Sequence, residues 1–451
     1  MIVMKFGGSS VESADAIQRV AGIVAGRAAR HPVVVVSAMG KTTNRLLAIA
    51  DEAVAGRRDA ALVQLLELQT FHLLEGSSVD GSVDAHFAEL AELVKGLAIL
   101  GELTPRSIDA ISAFGERLSS LIVADAFHRL GIDAVHVDAR DYIITDERHT
   151  QAAPLYPETN ARLRAGLIPL AANQVVVMGG FIGSTLRGIT STLGRGGSDF
   201  SAAIIGAAID AEEIQIWTDV DGMLTCDPRL LSGVHRIKEL SFSEAAELAY
   251  FGAKVLHPST VLPAVEKNIP VLILNSRRPQ VDGTRIVAKP VPCANPVKAI
   301  ACKQNITSVH IRSTRMLMAH GFLRRIFEVF DQNQTPVDMV TTSEISVSLT
   351  IDNTQRLDQI TEQLRAFSDV TVEPDQALIC LVGDSVATTS GIAGRIFQAL
   401  NGTNIRMISQ GASLLNLSFV VAGKDLATAV RALHQELFAS LDPRIFERAS
   451  Q

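Results

Sequence analysis

The chain has 451 residues, of which 47% are hydrophobic and 20% charged, and it carries a formal net charge of −7. That length allows several ordinary domains and a large buried core, and the balance excludes an intrinsically disordered protein. No Lys/Arg-rich block interrupts the acidic background, which argues against a nucleic-acid partner, so any anionic ligand has to be held by a few placed cations.

The N-terminus, Met1-Ile-Val-Met-Lys5, runs straight into a strand pattern with no basic start or long apolar core of a signal peptide. No apolar stretch reaches the roughly 18 residues that span a bilayer. Cys226, Cys293, Cys302 and Cys380 form no C-x-x-C pair and fit no zinc or disulfide framework, as expected of reduced thiols in a cytoplasmic protein. Residues 2–6 read as a strand, 13–29 as a helix, 33–37 as a strand and 44–55 as a helix. Consecutive helical patterns fill about 58–130 with no strand between them, predicting a helical subdomain over one side of a sheet. Strand patterns return at 134–137, 174–178, 213–217 and 271–274, so the fold class is α/β around a mostly parallel sheet.

Proline, glycine and charge replace periodic apolar residues over 279–296, which reads as an interdomain linker. Two units of order βαββα follow. The first has strands at 308–311, 337–340 and 345–350, with helices at 321–332 and from 354. The second has strands at 377–382, 405–409 and 416–422, with helices at 391–400 and from 426. Gly321 and Gly391 open the first helix of each, so the pair reads as an internal repeat of a small α+β ligand-binding module. Two unrelated α+β lobes are the alternative.

Several strand ends carry residues suited to anions. Lys5-Phe-Gly-Gly-Ser-Ser10 places Gly7, Gly8 and Ser9 between a strand and a helix, where backbone N–H groups and the Lys5 ammonium suit a phosphate; a tight turn is the alternative. Ser37-Ala-Met-Gly40-Lys41-Thr42-Thr43-Asn44 is not a P-loop, which would need glycine at Val35, but it is a strand-to-helix turn where ligands of open sheets bind. Gly179-Gly180-Phe-Ile-Gly183 and Gly194-Arg195-Gly196-Gly197-Ser198-Asp199 form the most glycine-dense stretch. Ser198 and Asp199 would be good N-caps, yet arginine among three glycines exceeds what a cap needs and suits an anionic substrate or a transferring phosphoryl group. Thr218-Asp219-Val-Asp221-Gly222 and Asp227-Pro-Arg229 combine hydroxyl, carboxylates and arginine, and are also plain turn signals. Glu116 of Phe114-Gly-Glu116-Arg117 lies in a helical pattern, facing either a pocket or a surface arginine. Lys254 of Gly252-Ala-Lys254-Val255 ends another helix.

Taken together and in order, Lys5-Phe-Gly-Gly-Ser-Ser, Phe114-Gly-Glu, Gly194-Arg-Gly-Gly-Ser-Asp, Thr218-Asp-Val-Asp-Gly, Cys226-Asp-Pro-Arg and Gly252-Ala-Lys-Val-Leu-His-Pro resemble the signature set of the aspartate kinases, over nearly the whole chain. The resemblance implies an amino-acid-kinase αβα sandwich over 1–294 with its helical subdomain at about 58–130. Two ferredoxin-like ACT domains would follow, over 295–376 and 377–451. It implies transfer of the ATP γ-phosphoryl group to the β-carboxylate of L-aspartate, giving 4-phospho-L-aspartate for lysine, threonine and methionine synthesis, with Mg²⁺ as cofactor. By the same motifs Lys5 would contact the transferring group beside Gly7, Gly8 and Ser9, and Asp199 would organise the phosphate site. Thr43 would touch the substrate carboxylate, Glu116 the α-ammonium, and Arg195 with Ser198 the α-carboxylate. Thr218, Asp219, Leu224, Arg229, Lys254 and Val255 would hold nucleotide, Leu224 standing where many members have an aromatic residue.

Met316, Gly321, Phe322, Leu323, Val337, Asp338, Ser343 and Glu344 resemble the effector site of lysine-inhibited members, with Asp338 suited to the ε-ammonium of L-lysine and Pro336 in place of a common serine. Pairing of such modules between chains implies a homodimer or homotetramer. Other kinases of this fold, acting on glutamate, N-acetylglutamate or UMP, usually lack the tandem modules and the Phe-Gly-Glu helix. A catalytically silent amino-acid sensor would not need Lys5, Arg195 and Asp199. No Rossmann fingerprint remains for a fused homoserine dehydrogenase.

Overall fold

Residues Ile2–Phe6 form β1, whose side chains are buried on both faces except for Lys5. A strand apolar on both sides belongs inside a sheet covered by helices above and below. The computed structural model describes residues 1–76, 81–252, 258–313 and 320–448. Their elements run α1 (Ala14–Ala25), β2 (Pro32–Val36), α2 (Thr42–Val54), α3 (Arg58–Gly76), α4 (Ser82–Leu100), α5 (Pro105–Ser112), α6 (Phe114–Arg129), β3 (Ala134–Val137), β4 (Ile144–Thr145) and α7 (Tyr156–Ala171). Then come β5 (Val175–Gly179), β6 (Ile182–Thr185), β7 (Thr190–Thr192), α8 (Gly197–Ala208), β8 (Glu213–Thr218), β9 (His235–Ile237), β10 (Glu239–Ser241), α9 (Phe242–Tyr250), α10 (Leu262–Glu266), β11 (Val271–Asn275) and β12 (Thr284–Val287).

The chain divides into two compact units. The first holds Met1–Met223, Lys238–Phe242 and Val255–Pro290. Its main sheet has the order β10-β12-β11-β8-β1-β2-β5-β3, parallel except where β12 runs against β11. The all-Val run of β2 is wholly buried beside β1. Helices α2, α3, α4 and α6 share one core with the sheet through residues such as Leu46, Leu68, Leu90, Phe114 and Trp217. Each such fully buried side chain contributes roughly 1.5–3 kcal/mol. This cluster is the helical excursion expected over about 58–130. Helix α1 stops at Ala25, short of 29, and Ser13 caps it by accepting from the Ala16 N–H. The expected linker at 279–296 contains β12, whose four residues are too few to register as an alternating pattern.

The second unit holds Leu224–Ile237, Ser243–Lys254 and Val291–Gln451. Its elements are β13 (Ala299–Arg312), α11 (Phe322–Gln332), β14 (Met339–Thr342), β15 (Ser346–Ile351), α12 (Leu357–Arg365), β16 (Asp369–Val382), α13 (Ile392–Ala399), β17 (Ile405–Gln410), β18 (Asn416–Ala422), α14 (Leu426–Leu437) and β19 (Phe446–Arg448). One antiparallel sheet, β14-β15-β13-β16-β18-β17, carries both repeats. A register shift near Ile306 divides β13 in two. Its second half lies between β15 and the start of β16, and its first half pairs with residues 378–382 of β16. Each βαββα repeat thus gains its fourth strand from the other. The first module sits, in sequence, inside the second, which begins at 299–303 and resumes at 376.

Two excursions from the kinase-like part of the sequence belong to this unit for physical reasons. The Glu244 and Lys298 side chains, both fully buried, pair at 2.9 Å, and a charge buried there without its partner would cost several kcal/mol. Glu247 accepts from Ser413 and Asn416, each at 2.7 Å. Thr225 accepts the Ile300 N–H on its carbonyl, and β9 pairs with β19.

Candidate active site

The C-terminal ends of β1, β2 and β5 and the N-terminal ends of α6 and α8 surround a cavity of about 350 Å³ in the first unit. Its walls include Lys5, Gly8, Thr43, Glu116, Arg195, Ser198 and Asp199, so the structure brings together every acceptor and phosphoryl residue expected from the sequence except Gly7 and Ser9, which flank Gly8. Lys5 leaves the end of β1 and its Nζ meets Asp199 Oδ1 at 2.7 Å, with both side chains about seven-eighths buried. Asp199 lies in the first turn of α8, whose N-cap is Gly196 in the left-handed region, so neither Ser198 nor Asp199 is the cap. The glycine at 8 is enforced by close approach: a Cβ there would sit 2.7 Å from the Ala38 carbonyl oxygen, and the Gly40 N–H already donates to the Gly8 carbonyl at 3.0 Å. The two strand-to-helix turns therefore lie against each other and line one floor.

Glu116 belongs to the first turn of α6 and is 4% exposed. Its Oε1 accepts the Ala38 N–H at 3.1 Å, while its Oε2 is buried with no hydrogen-bond partner among the described residues. Burial pushes its acid up to about 8, against the smaller opposing effects of that hydrogen bond and of Lys5. The neighbouring Arg117 does not pair with it; Arg117 reaches Glu89 at 2.8 Å instead. Arg195 is exposed between Gly194 and Gly196, both with positive φ, and no ion pair holds it among the described residues. The cavity thus contains an orphaned buried carboxylate, an uncommitted guanidinium, and an ammonium oriented by a carboxylate. A small zwitterion with an extra acid group and a phosphoryl group match these charges.

Phe181, which sequence reasoning did not single out, also lines the cavity. It holds φ at 64°, unfavourable for an aromatic residue, and is tied by its N–H to Ser201 and its carbonyl to Leu193. That strain is visible only in the folded backbone.

Of the expected nucleotide residues, Thr218 ends β8 and Asp219 follows it in the same unit, with Asp219 exposed. Leu224 and Arg229 fold with the second unit, where Arg229 forks onto Asp227 at 2.7 Å and is largely exposed. Lys254 and Val255 lie outside the described residues, as does Met316 of the effector set. In the second unit Gly321 caps α11 with φ of 80°, Phe322 is buried, Val337 packs on that module's core, and Leu323, Ser343 and Glu344 are exposed. The Asp338 side chain is 5% exposed and its Oδ1 accepts from Lys303 Nζ at 2.6 Å, while its Oδ2 has no partner among the described residues. Lys303 also reaches Asp352 at 3.0 Å and lies over the Tyr250 ring.

Known proteins resemble this chain over most of its length. The amino acid kinase family profile matches residues 1–275, and an ACT domain profile matches 379–437. Aspartokinase 1 (chloroplastic) of Arabidopsis thaliana is 40% identical over 98% of this chain and 80% of its own length. Two crystal structures of E. coli aspartokinase III are 35% identical over 97% of this chain. The complex with lysine and aspartate has a TM-score of 0.85 over 99% of that chain, and the complex with aspartate and ADP has 0.82 over all of it. Matched over its first 275 residues by one family and over nearly all its length by named relatives, the chain belongs to the amino acid kinase family and, within it, to the aspartokinases.

Proposed function

We propose that this chain transfers the γ-phosphoryl group of ATP to the β-carboxylate of L-aspartate and is inhibited by L-lysine. The observation that carries the reading is the orphaned, buried Glu116 carboxylate sharing one cavity with Arg195 and the Lys5–Asp199 pair. Glu116 takes the α-ammonium, Arg195 with Ser198 takes the α-carboxylate, and Thr43 borders the side-chain end. These contacts leave the β-carboxylate as the one unbound group of the substrate. It is ionised at neutral pH and needs no general base, so catalysis is positioning and charge neutralisation. A β-carboxylate oxygen bonds to Pγ as the bond from Pγ to the bridging oxygen of ADP breaks. Lys5 meets the negative charge spread over the phosphoryl oxygens, and Asp199 keeps its ammonium in place. The N-terminus of α8 and the glycine turn after β1 add backbone N–H groups.

No three His, Cys, Asp or Glu side chains converge as a metal cage among the described residues. Mg²⁺ fits this site as a partner of the nucleotide, which suits a hard ion that keeps its waters and phosphate ligands. Bound there, it supplies further charge neutralisation. Thr218 at the end of β8 and Asp219 just after it, in the same unit, belong with the nucleotide. No described helix is long and apolar enough to cross a membrane. We place the enzyme in the cytoplasm as a homodimer or homotetramer joined through its regulatory modules, where Leu323 and Phe327 leave apolar surface exposed on α11.

The test is trapping of acyl phosphate as hydroxamate with ATP, Mg²⁺ and L-aspartate. Turnover with glutamate or none with aspartate sinks the acceptor assignment. Lysine is placed at the first module because Asp338 keeps one buried oxygen unpaired beside Lys303. Asp338→Asn is expected to weaken lysine inhibition by at least about tenfold, the scale of losing one charge-assisted contact, with uninhibited turnover retained. Unchanged inhibition in that variant moves the effector elsewhere.

A further inference from the structure

The two anchors for the acceptor's α-groups come from separate stretches of chain, Glu116 from α6 and Arg195 from the turn between β7 and α8. Something has to hold their separation, because a bound aspartate can satisfy both only at one distance. Asp109 on α5 is fully buried, and α5 runs into α6 through the single residue Ala113, so Asp109 moves with Glu116. Its Oδ1 accepts from Thr192 Oγ1 at 2.6 Å and from the Thr150 N–H at 3.0 Å. Its Oδ2 meets His149 Nδ1 at 2.7 Å.

Thr192 ends β7, and only Leu193 and Gly194 separate it from Arg195. Thr150 holds φ at 70°, a conformation a β-branched residue does not adopt without outside restraint, and here the restraint is the carboxylate on its N–H. A Cβ on Gly194 would lie 3.1 Å from the Thr150 carbonyl oxygen, so the residue that Asp109 pins is also the bed of the Arg195 turn. Ala152 N–H to Thr192 O at 2.9 Å closes the same loop onto β7. A buried charge whose two oxygens are filled by three groups of the 149–150 loop and β7 is a clamp between those elements and α5.

We propose that Asp109 is a positioning residue for the phosphoryl acceptor, clamping the start of α6 to the end of β7 and so fixing the span between Glu116 and Arg195. It touches no substrate. The proposal rests on the reading that these two residues bind the α-groups of aspartate. A purely structural Asp109 would alter the thermal midpoint and leave the Michaelis constants of the folded enzyme alone.

The experiment is steady-state kinetics on the full chain, varying aspartate and ATP separately. Asp109→Asn turns one acceptor into a donor facing donors and is expected to raise the aspartate KM about 30-fold while the ATP KM moves less than about twofold, the scale of a small misplacement at a reacting centre. Should that variant not fold, Thr192→Val removes a single donor without changing shape; it is expected to raise the aspartate KM about fivefold, with Thr192→Ser, which keeps the hydroxyl, close to the unsubstituted value. Unchanged aspartate KM in Thr192→Val, or equal rises in both Michaelis constants, overturns the role of Asp109 alone. Absence of aspartate turnover in the unsubstituted chain overturns the acceptor assignment and the proposal with it.

Discussion

Lys5→Met is expected to lower kcat by about 10³-fold, or roughly 4 kcal/mol of transition-state stabilisation, with the Michaelis constants for aspartate and ATP changed only a few-fold. The side chain is seven-eighths buried and its ammonium meets Asp199 at 2.7 Å, so it is held before any substrate arrives and costs no reorganisation during transfer. Methionine keeps the length and fills the same space, which separates the lost charge from lost packing. It does leave Asp199 unpaired in a poorly solvated place, and some loss of thermal stability follows. The double variant Lys5→Met with Asp199→Asn removes both charges together and is expected to recover stability but not rate. Steady-state kinetics and thermal melts on the three proteins separate these effects. A kcat within about tenfold of the unsubstituted enzyme in the single variant would falsify the assignment of Lys5 to the transferring group.

What could be read from the sequence was whatever is local along the chain. The strand-turn-helix at Lys5 to Ser10, the glycine-rich run ending at Asp199 and the doubled βαββα order are patterns of neighbours, and they stand in the fold where spacing put them. The rest needed contacts between distant residues. From the residues alone Glu116 read more readily as half of a surface pair with Arg117, because a helix pattern does not say which face is covered. In the fold Arg117 turns to Glu89, and Glu116 is enclosed by Ala38 and Gly179. Asp109 is an unremarked carboxylate in an eight-residue helix until three donors from residues 149–192 close on it. No sequence pattern singles out Lys303, and only folding brings it onto Asp338. The exchange of half-strands between β13 and β16 was invisible for the same reason: only 308–311 and 377–382 read as strands, and pairing across the repeats decides which module the other halves complete.

The dependence of aspartate turnover on pH is where Glu116 is most exposed to test. Its acid sits at about 8 in the unliganded site because burial disfavours the carboxylate, yet the α-ammonium of aspartate can bind only the carboxylate. Below that value most of the free enzyme carries the wrong protonation state. The kcat/KM for aspartate is therefore expected to rise about tenfold per pH unit up to about pH 8 and to lie roughly tenfold below its plateau at pH 7, since this ratio reports the free enzyme. Once aspartate is bound, its ammonium holds the carboxylate ionised, so kcat stays flat over the same range and KM carries the change. For stability the sign is opposite. A carboxyl whose folded value is raised above the ordinary 4.5 favours the fold at low pH, and that contribution is lost as pH rises from about 4.5 through about 8. Saturating aspartate restores it by supplying the missing cation. Glu116→Gln keeps the shape and an acceptor for the Ala38 N–H but cannot ionise. It is expected to lose about 10³-fold in kcat/KM for aspartate, the scale of an uncompensated ammonium at a desolvated site, and to flatten both the kinetic limb and the pH dependence of the melting temperature between pH 5 and 8. If the kinetic limb survives the substitution, the titrating group is some other residue and Glu116 does not bind the ammonium; if the limb disappears while the loss stays below about threefold, Glu116 tunes the site without anchoring the substrate.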